Sequence, residues 1–472
     1  MAGLLGDLIN ASRALAAHQT GVQVAGRNIA NVNTPGYSRE RVILGDRAVI
    51  QTVGGSVGTG IEALGVKQIR DSFLDVQVTR ETSRTSYLTS QQDAFDKAES
   101  ALGEQIDRSS DSAILGEATG ATTGLASALN NFFAAFDSVA TSPGESAAKQ
   151  VLLQKADSLV GKFNLADDRL SGLQTDLTAQ IGSDAGKATN LLGQIAELNR
   201  QIAGAEVASP ESALALRDQR QTRLEELGQY INFSSSQIVG GNGQIQISTK
   251  DTGGANVVLV DGPNLLGTIG FNGTNVTGPG GATLAVTGGS IGGNLAARDG
   301  AIQKLRDDLR TTATQLATAV NLAYNPTAAT GNFFKVPPTS GVIELDPALT
   351  AANLKASDTG NSGANELALA VANLAQKKFS TAGGDLINGA IGSFYNKVVS
   401  GFGETIVGNN AKLEDQKIVG DLITQQRDSV SGVSLDEEVT DLMKFQKAYQ
   451  ASSRVISVID SMLESLINSV GR

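Results

Sequence analysis

The stretch LLGDLINASRALAAHQTGVQVAGRNIANVNTPGYSR, residues 4–39, contains both a helix and its stop. Leu4, Leu8, Ala11, Leu15, His18, Val22, Ala25 and Ile29 follow one another at alternating steps of four and three. That is the a/d seam of a coiled-coil helix, which at 1.5 Å per residue is roughly 40 Å long. Asn31-Val32-Asn33-Thr34-Pro35-Gly36 ends it, because Thr34 precedes a proline and Pro35 has no amide donor. Read outward from here, the question is what covers the seam.

The C-terminus supplies a matching stripe. Leu442, Phe445, Tyr449, Ser452, Ile456, Ile459, Leu463, Leu466 and Val470 repeat the heptad spacing, with only Ser452 breaking the apolar row. Ser434-Leu435-Asp436-Glu437 reads as a capping box, and Asp436 and Glu438 place negative charge at the positive end of the helix dipole. Two amphipathic ends that each need a partner predict that residues 1–35 pair with residues 434–472.

Between the ends, Arg41–Gln77 reads as short strands and turns, with Gly54-Gly55, Gly58 and Gly60 marking a tip. From about residue 83 to residue 230 the pattern is helical. Leu152, Ala156, Leu159, Phe163, Ala166, Leu170, Leu173 and Leu177 form its best row. Ser142-Pro143-Gly144-Glu145 suits the start of that helix, Ala188 to Ile202 reads as a following helix, and Ser209-Pro210-Glu211 as the start of another. Residues 231–295 change texture: β-prone runs (Ile245/Ile247, Val257–Val260, Ala282–Val286) alternate with turn clusters, and sixteen glycines fall between Gly240 and Gly293. Helix returns through Ile302, Leu305, Leu309, Leu316 and Ala323, and again over about 385–427. The expected fold is mainly α with an inserted β domain. It is an elongated helical-bundle rod: paired ends, a bundle of 36–230 plus 296–433 with a β/turn segment at 41–77, and a Gly-rich β domain at 231–295.

Composition removes many chemistries. The chain has 472 residues, no Cys, no Trp and one His, so disulfides, thiolate nucleophiles, Cys-ligated metals and multi-His sites are excluded. The net charge of −11 argues against a nucleic-acid footprint. No run approaches 18 apolar residues, so no membrane span is expected, and Met1 to Asp7 lacks the basic and apolar regions of a secretory signal. Gly182 and Gly186-Lys187 miss the phosphate-loop spacing, with Ala188 at the hydroxyl position. Gly54 to Gly60 has no βαβ frame and reads as a turn. His18 lies on the seam and reads as a polar position that sets register. Asp and Glu residues lie on solvated helical faces, and Asn272-Gly273-Thr274 and Asn275-Val276-Thr277 match a glycosylation pattern only weakly. No catalytic, cofactor or metal site is expected, and the chain is not expected to be an enzyme.

Three blocks carry a resemblance. Asn28-Ile29-Ala30-Asn31-Val32-Asn33-Thr34-Pro35-Gly36-Tyr37-Ser38-Arg39, directly after the first helix, resembles the signature of bacterial flagellar rod, hook and hook-associated proteins. Gly65-Val66-Lys67-Gln68-Ile69-Arg70-Asp71-Ser72-Phe73-Leu74 resembles their second shared block. Ser431-Gly432-Val433-Ser434-Leu435-Asp436-Glu437-Glu438, with Lys444 to Ser452, resembles the closing one. The Pro35 to Arg39 ending, the length and the helical stretch before the β insert resemble the hook–filament junction branch of that family.

The resemblance implies an extracellular structural subunit of the flagellum, exported from the cytoplasm by the flagellar type III apparatus without a cleaved signal. It implies self-assembly into a ring-like stack of about eleven subunits per two turns of the axial helix. Hook protein, the next junction protein and an export chaperone on the C-terminal helix are the implied partners, and terminal helices are implied to be disordered before assembly. The expected assembly interface is Leu4, Leu8, Leu15, Val22, Ile29, Asn31, Asn33, Pro35, Gly36, Tyr37, Leu442, Phe445, Tyr449, Ile456, Ile459, Leu463 and Leu466. A hook or distal-rod subunit is the nearest alternative. A rod-associated lytic enzyme or a surface adhesin is the reading from another class.

Overall fold

The computed structural model describes residues 2–46, 49–52, 55–58, 60–103, 124–327, 331–338, 341–359, 361 and 363–470. Met1, Gly54 and Thr59 of the expected tip, residues 104–123 of the helical middle and residues 471–472 lie outside them. The fold is mainly α with a small β region in the middle and long terminal helices. In chain order the elements are α1 (Ala2–Ala30), β1 (Glu40–Asp46), β2 (Val49–Thr52), β3 (Gly55–Gly58), β4 (Ile61–Gln68), α2 (Ser72–Leu102), α3 (Leu125–Thr141), α4 (Ser146–Ala205) and α5 (Leu214–Gly228). There follow β5 (Ser234–Gln237), β6 (Ile245–Lys250), β7 (Asn256–Asp261), β8 (Asn264–Leu265), β9 (Gly270–Phe271) and β10 (Val276–Thr277). The rest are α6 (Gly289–Ala296), α7 (Gln303–Tyr324), β11 (Phe334–Lys335), β12 (Glu344–Leu345), α8 (Glu366–Ala372), α9 (Ile391–Ser431) and α10 (Leu435–Val470).

The chain divides into two compact units. The first comprises residues 1–85, 185–289 and 416–472, and the second residues 86–184 and 290–415. In the second unit, the α4 row from Leu152 to Leu177 is buried along its whole length, as period-3.6 patterning requires. Against it lie Leu305, Leu309 and Leu316 of α7 and an aromatic cluster. Phe132 sits at the centre of that cluster, with ring centroids 5.2 Å from Phe136, 5.3 Å from Phe133, 5.8 Å from Phe333 and 5.9 Å from Phe334. Asp167 is buried beside this core and receives Arg306 at 2.7 Å and Arg310 at 3.0 Å. Burial alone would raise its carboxyl, but the two guanidiniums outweigh that and hold it below the usual range.

In the first unit, β1 and β4 form an antiparallel ribbon with a bulge between Ile43 and Leu44. A second, four-stranded sheet runs β5-β6-β7-β8, all antiparallel. This β region does not stand apart. Asn199 of α4 donates from Nδ2 to the carbonyls of Ile245 (2.9 Å) and Gly262 (2.7 Å), which ties the sheet to the C-terminal part of the long helix. Residues 185–289 therefore cluster with both chain ends rather than forming a body of their own.

Several boundaries differ from the sequence reading, each for a local reason. The strands stop at Gln68, and α2 opens at Ser72, because the Asp71 carboxylate accepts the N–H of Phe73 at 2.9 Å and caps the helix. Ser142 closes α3 through its N–H to Ser138 O (3.0 Å), so α4 starts at Ser146 instead. The expected break before Ala188 is absent: α4 is one helix of 60 residues, and its glycines cost about 1 kcal/mol each without interrupting it. Glu211 has φ 62° and lies in a turn, and α5 begins only at Leu214. Helix α9 starts at Ile391 because Asp385 accepts the Ser380 N–H (2.9 Å) and folds the preceding residues into a loop.

Phe132→Ala removes the hub of the aromatic cluster and is expected to cost about 3–5 kcal/mol, read as a lowered urea midpoint of the full chain. An unchanged midpoint would show that the cluster does not hold this unit.

Candidate assembly interface at the paired chain ends

Helix α1 packs along α10. Asn28 meets Glu438, and further back Gly21 meets Phe445, so as positions fall on α1 they rise on α10 and the helices run antiparallel. The approach at Gly21 is close: a Cβ there would lie 2.6 Å from the Phe445 ring. His18 lies beside the same ring, centroids 6.4 Å apart, and burial lowers its pKa. Leu4, Leu8, Leu15, Val22 and Ile29 are partly buried, and Ala11 and Ala25 fully. On α10, Leu442, Phe445, Ile456 and Leu463 are partly buried and Ile459 is buried, whereas Tyr449 and Leu466 are exposed at the margin.

A polar latch closes the inner end. The Asn28 amide donates from Nδ2 to Glu40 O (2.8 Å) and Glu438 Oε2 (2.9 Å). Its Oδ1 accepts the Glu40 N–H (3.0 Å) and the Tyr37 hydroxyl (2.8 Å). Burial and then the Glu40 carboxylate push the Tyr37 phenol up, so it stays a donor. Arg27 reaches the Glu40 carboxylate at 2.7 Å. Arg39 lies 2.6 Å from Glu437 and 2.6 Å from Glu438, the second a Coulombic approach without hydrogen-bond alignment. Its N–H also bonds Ser431 O at 2.9 Å.

The turn between helix and strand is built by the Asn-Pro-Gly run. Asn31 Nδ2 donates back to Arg27 O (3.0 Å), and the Thr34 hydroxyl donates to Asn31 Oδ1 (3.1 Å). Gly36 has φ 77° and sits against the Thr222 hydroxyl of α5, leaving no room for a side chain. Asn33 and Pro35 are exposed. Of the expected interface residues, Asn31, Gly36 and Tyr37 thus meet partners within this chain, the seam residues other than Tyr449 and Leu466 are at least partly covered, and Asn33, Pro35, Tyr449 and Leu466 are exposed. Asn28, Arg39, Glu437, Glu438 and Gly21 were not among them. Their signal was present only as short blocks at opposite ends of the chain. Glu438 is buried and paired as well as being a dipole charge.

Asp218 of α5 lies beneath this turn. Burial pushes its carboxyl up to about 6, while Arg70 and the Ser38 N–H oppose the shift.

Apolar side chains are also exposed on both flanks of α10. Leu435, Val439, Met443, Val455, Val458 and Met462 are exposed, as are Leu5 and Ile9 of α1. No helix among the described residues is long and apolar enough to cross a membrane.

Comparisons with known proteins match this layout. Residues 8–37 match the family model "Flagella basal body rod protein", and residues 424–469 "Flagellar basal body rod FlgEFG protein C-terminal". Residues 113–328 match "Flagellar hook-associated protein FlgK helical domain". Both paired ends are thus similar to flagellar rod proteins. A protein of Bacillus subtilis (strain 168) named flagellar hook-associated protein 1 is 28% identical over 528 residues, covering 98% of each chain. One of the same name from Escherichia coli (strain K12) is 23% identical over 572 residues, covering 97% of this chain and 98% of that one. A solved structure of the flagellar hook junction protein FlgK from Burkholderia pseudomallei is 22% identical, covering 55% of this chain and 46% of that chain, with a TM-score of 0.45. Over nearly its full length the chain is similar to proteins named flagellar hook-associated protein 1.

Asn28→Ala leaves the buried Glu438 carboxylate and the Glu40 N–H short of a partner. An expected loss of about 1–3 kcal/mol shows as faster amide exchange in the first turns of α10, and unaltered exchange would refute the latch. Asp218 makes a pH prediction. The folded chain holds a proton that the unfolded chain, near 3.8, has already released, so its contribution to stability falls as pH rises from about 4 to about 6. Asp218→Asn should flatten the urea stability profile over that window, and an unchanged slope would contradict the assignment.

Proposed function

We propose that this chain forms a junction zone between flagellar hook and filament by self-assembly through its terminal helices, working by packing rather than catalysis. One observation carries the reading: α1 and α10 close on each other antiparallel yet leave apolar side chains exposed on the flanks of the pair. A helix that satisfies one face inside its own subunit and keeps apolar side chains exposed on its flanks is suited to stacking against copies of itself.

In this reading residues 1–35 and 434–472 form the inner axial layer. Leu4, Leu8, Leu15, Val22, Ile29, Leu442, Phe445, Ile456, Ile459 and Leu463 hold the pair together. Tyr449 and Leu466 carry the packing to neighbours, and the turn from Asn31 to Tyr37, with Asn33 and Pro35 outward, fixes how the inner pair joins the next layer. Hook protein and the next junction protein are the axial neighbours, and an export chaperone takes the exposed apolar side chains of α10 before assembly, a helix-in-groove contact. The chain leaves the cytoplasm without a cleaved signal and acts outside the cell. A hook or distal-rod subunit is disfavoured by the middle of the chain, where α2, α3, α4 and α5 dominate residues 83–230.

Deleting residues 430–472 is expected to abolish incorporation into the axial structure, scored by filament formation in cells that carry only the shortened chain. Normal filaments from that deletion would overturn the proposal.

A further inference from the structure

The first unit also carries a cleft of about 700 Å³, bounded by the end of β4, the first turn of α2, α5 and the strand β5. Three guanidiniums line it: Arg70, Arg217 and Arg220. Two are neutralised. Arg217 grips Glu206 through two bonds of 2.7 Å, and Arg70 pairs with Asp75 at 2.9 Å and Asp218 at 3.4 Å. Arg220 is not. It is 8% exposed and donates from Nη1 to Asn199 Oδ1 (2.8 Å) and to the carbonyl of Gly243 (2.7 Å), both neutral. Among the described residues no carboxylate is in ion-pair contact with it. Burial and then Arg217 pull its pKa down to about 10, against the pull of Glu206, so it remains a cation at neutral pH. A buried charge whose nearby carboxylate, Glu206, is already held by Arg217 remains costly, and its wall of the cleft is where a further anion lowers that cost.

The neighbouring wall is a strand edge. Among the described residues β5 pairs only with β6. Its ladder continues through the Ile238 N–H to Gln244 O at 3.0 Å, so residues 234 and 236 bond toward β6. Ser235 and Gln237 consequently turn their N–H and C=O groups to the open side, on the cleft. The edge sequence Ser-Ser-Ser-Gln has neither the proline nor the lysine with which exposed edges are usually guarded. Beside it, Phe73 and Val76 of α2 are exposed and apolar.

We propose that this cleft binds an extended acidic segment of a partner protein, whose backbone adds to β5 and one of whose carboxylates becomes the counter-ion of Arg220. Apolar side chains flanking that carboxylate rest on Phe73 and Val76. The cation sets the charge of the occupant, and the free N–H and C=O groups set its extended conformation. The site is independent of the α1–α10 pair, so it stands or falls apart from the assembly reading.

The test uses the full chain and a fluorescein-labelled eight-residue peptide of alternating valine and threonine with a central glutamate, followed by fluorescence anisotropy. Saturable binding is expected. Arg220→Gln, or glutamine in place of the peptide's glutamate, should weaken it by about tenfold or more. Gln237→Pro, which removes an outward N–H without touching the β6 ladder, should weaken it too. Should Arg220→Gln lose its far-UV circular dichroism, the glutamine peptide and Gln237→Pro decide the matter alone. Equal binding of the two peptides overturns the proposal. So does full competition by inorganic phosphate together with an inert Gln237→Pro, since that marks a small-anion site with no strand addition.

Discussion

Asn28 has two N–H donors and an oxygen with two lone pairs, and all of them are used: toward Glu40 O, Glu438, the Glu40 N–H and the Tyr37 hydroxyl. Because the amide is buried, leaving any of these unmade carries the full desolvation cost of the group. One side chain therefore requires three things at once: the end of α1, the start of β1 and the first turn of α10 in place together. Everything else in the terminal assembly follows from that register. With Asn28 on Glu438, Gly21 falls opposite Phe445, and the ring packs where only a glycine leaves room. Arg39 then reaches the acids of the first α10 turn, and Ser431 receives its N–H.

The pairing of the ends was legible because it is periodic. A heptad row on each terminus can be read without knowing what lies between, and the α4 row from Leu152 to Leu177 could be read the same way. The latch was not legible, since Asn28 and Glu438 are 410 positions apart and nothing local in either block names the other. Start signals misled where a neighbouring element had the stronger local claim. Ser142 ends α3 rather than opening α4, and Ser209-Pro210-Glu211 forms a turn in which Glu211 is held at positive φ. The break expected near Ala188 did not occur, because the glycines around it lie on an exposed face and cost propensity without costing packing. The β region was recognisable by its turns, but its attachment through Asn199 to α4 depends on a side chain that looks like any other surface amide in the sequence.

The chemistry absent from the composition and the packing present in the structure are two sides of one design. Apolar residues are spent in rows, charged ones in pairs that fix register, and glycines where chains must turn or approach closely. Asp167 between Arg306 and Arg310 does in the second unit what Glu438 between Asn28 and Arg39 does in the first: a buried carboxylate is tolerated because its partners come from distant segments and thereby lock them. Such locks fix register between segments that are distant in the sequence.

The antiparallel closure of α1 on α10 is the claim on which the account turns, and the absence of cysteine makes it directly measurable. Spin labels on Ala16→Cys and Gln450→Cys, both exposed sites, would be read by pulsed dipolar spectroscopy in the assembled, spin-diluted state. A second pair, Leu5→Cys and Glu437→Cys, serves as the long reference. Antiparallel closure predicts a separation within about 20 Å for the first pair and roughly 40 Å for the second, from helix rise and spacing. A short distance for the second pair with a long one for the first would mean parallel or slipped helices and would contradict it.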